Sequence, residues 1–168
     1  ADYRTDAYTN VLAGWLSGAA PAVILIGATA QGKDLAARLA ARLDAGLAMD
    51  CTAVVLQGGV LTCTRPMFGG KIFADVQIQG SPQIIAVRPN VMRIAEAPKE
   101  SAIETPVPQL GEIRTSVVAK MMDAGGKVEL TEADVIVSGG RGTGGNFAPI
   151  EELAAALNGA VGASRSAV

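Results

Sequence analysis

The chain has 168 residues, a net charge of −2 and a pI near 5.1, which allow one or two small domains and argue against a duplex-binding surface. Its 49% hydrophobic content and mean hydropathy of +0.33 can build a core, yet the longest apolar stretch, Ala19 to Ala28, is too short and too broken by proline and glycine to span a bilayer. The absence of histidine excludes histidine triads, general bases and metal sites, while two cysteines without a C-x-x-C arrangement read as small buried hydrophobes in a reducing compartment. The first element is a helix: Tyr8, Val11, Leu12, Trp15 and Leu16 form an apolar stripe ending near Gly18, with Thr5 as its cap and Trp15 as a core or interface anchor.

Val23 to Ile26 reads as a buried strand running into Gly27-Ala-Thr-Ala-Gln-Gly32-Lys33-Asp34, which has the spacing of a phosphate-binding P-loop. Asp34 stands where serine or threonine would ligate magnesium, so the favoured reading is a strand-to-helix turn with Thr29 capping a helix through Leu43. In that helix Leu35, Leu39 and Leu43 share a face, and Arg38 is spaced to pair with Asp34. Strands are then expected at Ala53 to Leu56, Val60 to Thr64, Lys71 to Ile78 and Gln83 to Val87, with Gly58-Gly59 a hairpin turn and an antiparallel section around it. Arg65-Pro66 and Arg88-Pro89 are expected to end two of these strands, the arginines being interface or structural residues rather than cofactor ligands. The proline- and glutamate-rich span Ile94 to Gly111 reads as a linker, Glu112 to Lys120 as a further strand, and Ala124-Gly125-Gly126 as a break.

The last third reads as strand, glycine-rich loop, helix, strand. Val135 to Val137 has the composition of a strand buried on both faces and stopping at Ser138. Gly139, Gly140, Gly142, Gly144 and Gly145 follow; a helix starts near Pro149 with Ile150, Leu153, Ala154 and Leu157 on one face; Asn158-Gly159 stops it; and a strand runs from about Gly159 to Ala163. A parallel crossover brings Ser164 and Arg165 back beside the loop, where they meet Arg141. The loop is open to three readings: a plain βα turn, an anion site, or a dinucleotide fingerprint made by Gly140, Gly142 and Gly145, with an arginine for a 2′-phosphate.

Ser138 to Gly142, Asn146 to Ala154 and Val161 to Val168, in that order, resemble the flavin domain of the electron transfer flavoprotein alpha subunit, and ATAQGKDLAARLAARLDAGLAMDC and TRPMFGGKIFADV resemble its first domain. The resemblance implies an α/β fold: a parallel or mixed sheet over 1–95, incomplete at its N-terminus, a linker over 96–111, and the first βαβ unit of a Rossmann-like FAD-binding domain over 112–168. It implies that Arg141, Gly142 and Ser164 bind FAD and that Arg165 lies near the reactive edge of the ring, where a cation raises the flavin's potential. It also implies a soluble electron carrier rather than an enzyme, paired with a beta subunit and served by flavin dehydrogenases such as acyl-CoA dehydrogenases, in the cytoplasm or the mitochondrial matrix. By the same resemblance the chain begins partway through the first domain and stops before the segments that complete the FAD site. The alternatives are an interaction fragment that does not bind flavin and an NADP-dependent oxidoreductase.

Overall fold

Helices and strands alternate from the start of the chain, and the computed structural model describes residues 2–103, 105, 107–121, 130 and 132–167. The chain divides into two units, Ala1–Ala119 and Lys120–Val168.

In the first unit, α1 (Thr5–Ala19), β1 (Val23–Gly27), α2 (Ala30–Leu43) and β2 (Gly46–Cys51) are followed by β3 (Ala53–Gln57), β4 (Val60–Met67), a 3-10 turn (Phe68–Gly70), β5 (Ile72–Val76) and β6 (Gln83–Val87). Two sheets result: a parallel one in the order β1-β6-β2 and an antiparallel one in the order β3-β4-β5. The sequence of β6, QIIAV, is apolar on both sides because both of its faces are covered. Ile84 and Ala86 join Ala36, Leu39 and Ala40 of α2 and Ala13 and Leu16 of α1, while Ile85 joins Ala48, Cys51 and Cys63 beneath the antiparallel sheet. The alanines of α2 bring its axis close to the sheet, which leaves room for Leu39 at 1% exposure.

Several expectations change here. β1 is an edge strand covered on one face only: Ile24 and Ile26 pack under the helices, whereas Leu25 is 63% exposed because the second core contains no β1 residue. In α1 the buried positions are Asp6, Ala7, Thr9, Ala13 and Leu16, so the inward stripe is rotated from the expected one and Trp15 is 58% exposed. Thr5 is the first helical residue rather than the cap; Arg4 occupies the cap position without a side-chain bond. β2 is not expected from the sequence, since GLAMDC has no β-branched residue and is interrupted by an irregularity between Ala48 and Cys51, with Asp50 at φ 62°.

Gly58 and Gly59 turn the β3–β4 hairpin at φ 58° and 81°, as expected. Pro66 does not end its strand: it lies inside β4 opposite Phe73 of β5. β3 pairs β4 only as far as Thr64, whose carbonyl faces the β3 side, so two residues on the proline nitrogen points to an unpaired edge where no donor is required.

The described residues between 93 and 121 form no helix or strand, and the expected strand from Glu112 to Lys120 is absent. Its backbone turns to α1 instead: the Arg114 N–H donates to Asp6 (3.1 Å), and the Asn10 amide donates to the Leu110 carbonyl (2.8 Å). Glu104 and Pro106 of the linker, the Ala124-Gly125-Gly126 break and Thr131 lie outside the described residues.

The second unit contains β7 (Ile136–Gly139), a 3-10 turn (Arg141–Thr143), α3 (Ala148–Ala156) and β8 (Ala160–Ala163), with β7 and β8 parallel and Gly139 opposite Ala163. Pro149 sits in the first turn of α3, as expected. β7 is not buried on both faces: Ile136 is 50% exposed, because among the described residues one helix and one neighbouring strand are all that cover it. Ala154 is the buried residue of α3, while Leu153 and Leu157 are about half exposed. No helix among the described residues is long and apolar enough to cross a membrane.

Candidate functional site

The carboxyl ends of β7 and β8 bring the expected site residues to one place in the fold. β7 ends at Gly139, which is buried against the ring of Phe147: a Cβ here would lie 2.8 Å from that ring and 3.0 Å from the Thr143 methyl. Glycine therefore lets the loop fold back over its own strand end. The turn that follows is pinned by Thr143, whose N–H (3.0 Å) and hydroxyl (2.9 Å) both donate to the Gly140 carbonyl, and by the Gly144 N–H, which donates to Arg141. Asn146 then accepts from the Ala148 N–H at 3.2 Å and starts α3. Thr143 and Asn146 were legible only as members of a motif, since their pinning roles depend on where the loop turns.

β8 returns the chain to the same end. The Ser164 N–H donates to the Gly139 carbonyl at 3.1 Å, which extends the parallel ladder by one bond, and a Cβ on Gly140 would sit 3.7 Å from the Ser164 hydroxyl. Within the strand pair a Cβ on Gly162 would lie 2.4 Å from the Ser138 hydroxyl, which would have to turn away to admit it. Ser164 shares a hydrogen bond with Ser166 at 3.3 Å. Arg141, directly after Gly140, and Arg165, directly after Ser164, are exposed, and neither guanidinium has a hydrogen bond or ion pair among the described residues. Gly142 faces open space. The result is a glycine-rich loop at the ends of parallel strands with a hydroxyl and two exposed arginines beside it in sequence, a donor set suited to an anionic or carbonyl-rich ligand.

The P-loop-like turn in the first unit has other employment. Thr29 caps α2 by accepting from the Gly32 N–H at 3.0 Å, and a Cβ on Gly32 would stand 1.8 Å from the Gly27 carbonyl oxygen, so this glycine lets the helix abut the strand end. Asp34 accepts from the hydroxyls of Thr5 and Tyr3, which hold its carboxyl below the usual range, Thr5 contributing most. The expected Arg38–Asp34 pair is not formed: Arg38 reaches across to Asp6 at 2.9 Å. Lys33 pairs with Asp50 at 3.3 Å, and Arg88 binds the same carboxylate through two N–H groups at 3.2 and 2.7 Å. Arg88, the larger influence, lowers the pKa of Asp50. Arg88 is thus a structural residue, fastening the end of β6 to the end of β2. Arg65 is half-buried within β4.

Cys51 and Cys63 are buried at 0% and 1% exposure, as small core residues. Burial, reinforced by the neighbouring Cys63 thiol, pushes Cys51 up to about 11, and burial raises Cys63 as well.

Comparison with known proteins also divides the chain in two, with the boundary at residues 129–135. Residues 1–135 match the model of the electron transfer flavoprotein domain, and residues 129–168 that of the electron transfer flavoprotein FAD-binding domain. The chain is 41% identical to the electron transfer flavoprotein subunit alpha of Thermoanaerobacterium thermosaccharolyticum, over 99% of this chain and 53% of that relative. It is 39% identical to the protein of the same name from Bacillus subtilis, over 98% and 52%. To Protein FixB of Clostridium saccharobutylicum it is 38% identical, over 99% and 52%. The chain thus spans about half the length of the curated relatives it matches.

Proposed function

Because the chain belongs to the electron transfer flavoprotein alpha-subunit family, we propose that it carries electrons through bound FAD, as part of a heterodimer with a beta subunit. The observation that carries this reading is the juxtaposition at the ends of β7 and β8: the Ser164–Gly139 hydrogen bond brings Ser164 beside Gly140, with Arg141 and Arg165 each next in sequence to one of that pair. Arg141, Gly142, Ser164 and Arg165 are the residues that hold the cofactor. When bound, FAD supplies the ring that takes up and gives back electrons. Arg141 offers a planar fork of donors, Ser164 a hydroxyl that can donate or accept, and Gly142 an approach free of side-chain bulk. Arg165 contributes a fixed positive charge that favours the reduced, more negative form of the ring and so raises its potential.

The electrons come from flavin dehydrogenases, such as acyl-CoA dehydrogenases, and go to a separate acceptor. The protein performs no substrate chemistry of its own. The first α/β domain, 1–95, supplies contact surface for the beta subunit, 96–111 links it to the FAD domain, and 112–168 begins that domain. The compartment is the cytoplasm, or the mitochondrial matrix in a eukaryote.

The test is a visible spectrum of the purified chain, alone and mixed with FAD and a candidate beta subunit, alongside Arg165→Ala. Flavin bands that co-purify with the folded complex, with a lower flavin potential in Arg165→Ala, are expected. Flavin retained under none of these conditions would make the chain an interaction fragment of the family and overturn the reading.

A further inference from the structure

A second concave region lies within the first unit, and nothing in the flavin reading uses it. One side of α1, the last turns of α2 and the extended segment around Gly111 line a cleft of about 630 Å³, within the range of roughly 300–1,000 Å³ typical of small-molecule sites. Ala13, Gly14 and Leu43 supply its apolar part. Gly14 lies in mid-helix, where a Cβ would meet nothing within 4 Å, and Leu43 closes one end.

The polar groups of the cleft are unevenly satisfied. Asp6 is taken by Arg38, the Arg114 N–H and the Thr115 hydroxyl, and Glu112 by the Arg114 guanidinium at 2.8 Å. The Ser17 hydroxyl donates back to the Ala13 carbonyl at 2.7 Å. What remains is mostly donor capacity. Arg38 uses one nitrogen, Nη2, on Asp6 and keeps its other N–H groups, and the guanidinium of Arg42, one helical turn further on, has no hydrogen bond or ion pair among the described residues. Three arginines face two carboxylates, so one positive charge is left over, and Arg42 bears it.

We propose that this cleft binds a small organic anion, with the guanidiniums of Arg42 and Arg38 gripping a carboxylate or phosphate group and the apolar body of the ligand lying over Gly14 and Leu43. Arginines at i and i+4 present their forks side by side, a spacing suited to bidentate recognition of such groups. The third wall is the segment fastened to α1 by the Asn10–Leu110 and Asp6–Arg114 bonds, so an occupant also tightens that segment against the helix.

The test is calorimetric titration of the full chain at low ionic strength with inorganic phosphate, pyrophosphate and citrate. It is paired with Arg42→Gln, with Gly14→Leu, which fills the apolar part with a good helix former, and with the rate of tryptic cleavage after Arg114. Saturable binding of at least one probe is expected, weakened about tenfold or more by Arg42→Gln and lost in Gly14→Leu at unchanged helical content, with cleavage after Arg114 slowed by the bound probe. Binding indifferent to both substitutions would put the anion elsewhere and overturn the proposal. So would a failure of all three probes to bind. Binding of a poly-glutamate peptide where the small anions fail would make the cleft a protein-docking surface and reject the small-molecule assignment.

Discussion

Gly32 illustrates how a residue that looks chemical can be steric. In the sequence it completes a phosphate-loop spacing, and in the fold it lets the first turn of α2 abut the Gly27 carbonyl, leaving 1.8 Å for any Cβ. Alanine at this position would gain about 1 kcal/mol of helix propensity, but the clash is with backbone, which cannot rotate away. Gly32→Ala is therefore expected to destabilise by about 1–3 kcal/mol, the usual cost of overpacking, read as a lower denaturant midpoint at unchanged slope. A stability equal to or above that of the parent would show that the helix start shifts at little cost. The cysteines make a second residue-scale case. The ordinary thiol pKa is 9.0 and that of folded Cys51 is about 11, so the native state holds a proton that the unfolded chain releases. The stability tied to that thiol is fully present below pH 9 and falls as pH rises toward 11. Native protein at neutral pH should react with a thiol reagent only as fast as it opens, and Cys51→Ala should flatten the alkaline loss of stability. A fast burst of two reactive thiols would contradict the burial.

At the scale of elements, legibility in the sequence followed how local the determining chemistry was. The Thr29 cap, the Gly58-Gly59 hairpin and the proline at the start of α3 were readable because each is decided within a few residues. The rotation of α1 was not, because the partners that let Asp6 face inward are distant in sequence: Arg38, thirty-two residues away on α2, and Arg114 and Thr115 beyond the sheets. β2 escaped because a strand without β-branched residues is held by its neighbour β6, which comes much later in the chain. The expected strand at Glu112 to Lys120 failed for a related reason: the Arg114 amide and the Thr115 hydroxyl find the carboxylate of Asp6 rather than the edge of a sheet. In the candidate site, the identities of Arg141, Ser164 and Arg165 were readable from motif and crossover logic. The pinning of the loop by Thr143 and Asn146 was not, since it depends on carbonyl positions that only the folded turn defines.

For the first unit as a whole, Asp6 is the residue where helix, helix and extended segment meet. Its carboxylate is only 7% exposed and receives Arg38, the Arg114 amide and Thr115. Asp6→Asn retains the shape and removes the charge. Arg38 is 56% exposed, so it can rehydrate, and the expected loss is about 1–2 kcal/mol rather than the larger penalty of a stranded buried ion. The same variant should let a protease cut between Gln109 and Ala119 several-fold faster while the sheets remain protected, as hydrogen exchange would report. Unchanged cleavage would mean that the Asn10–Leu110 bond alone retains the segment.

The order β1-β6-β2 means that the middle strand of the parallel sheet is the last of the three to be made. As the polypeptide leaves the ribosome, β1 and β2 emerge with a strand-wide gap between them, and the antiparallel strands are synthesised before Gln83–Val87 arrives to fill it. Until then both α2 and the β3-β4-β5 sheet lack the surface they will cover, since Ile84, Ile85 and Ala86 supply it from a single strand. This half of the molecule is thus built to fold late and all at once. A nascent chain halted short of Val87 carries two open parallel edges that a chaperone, or a second nascent chain, is free to occupy.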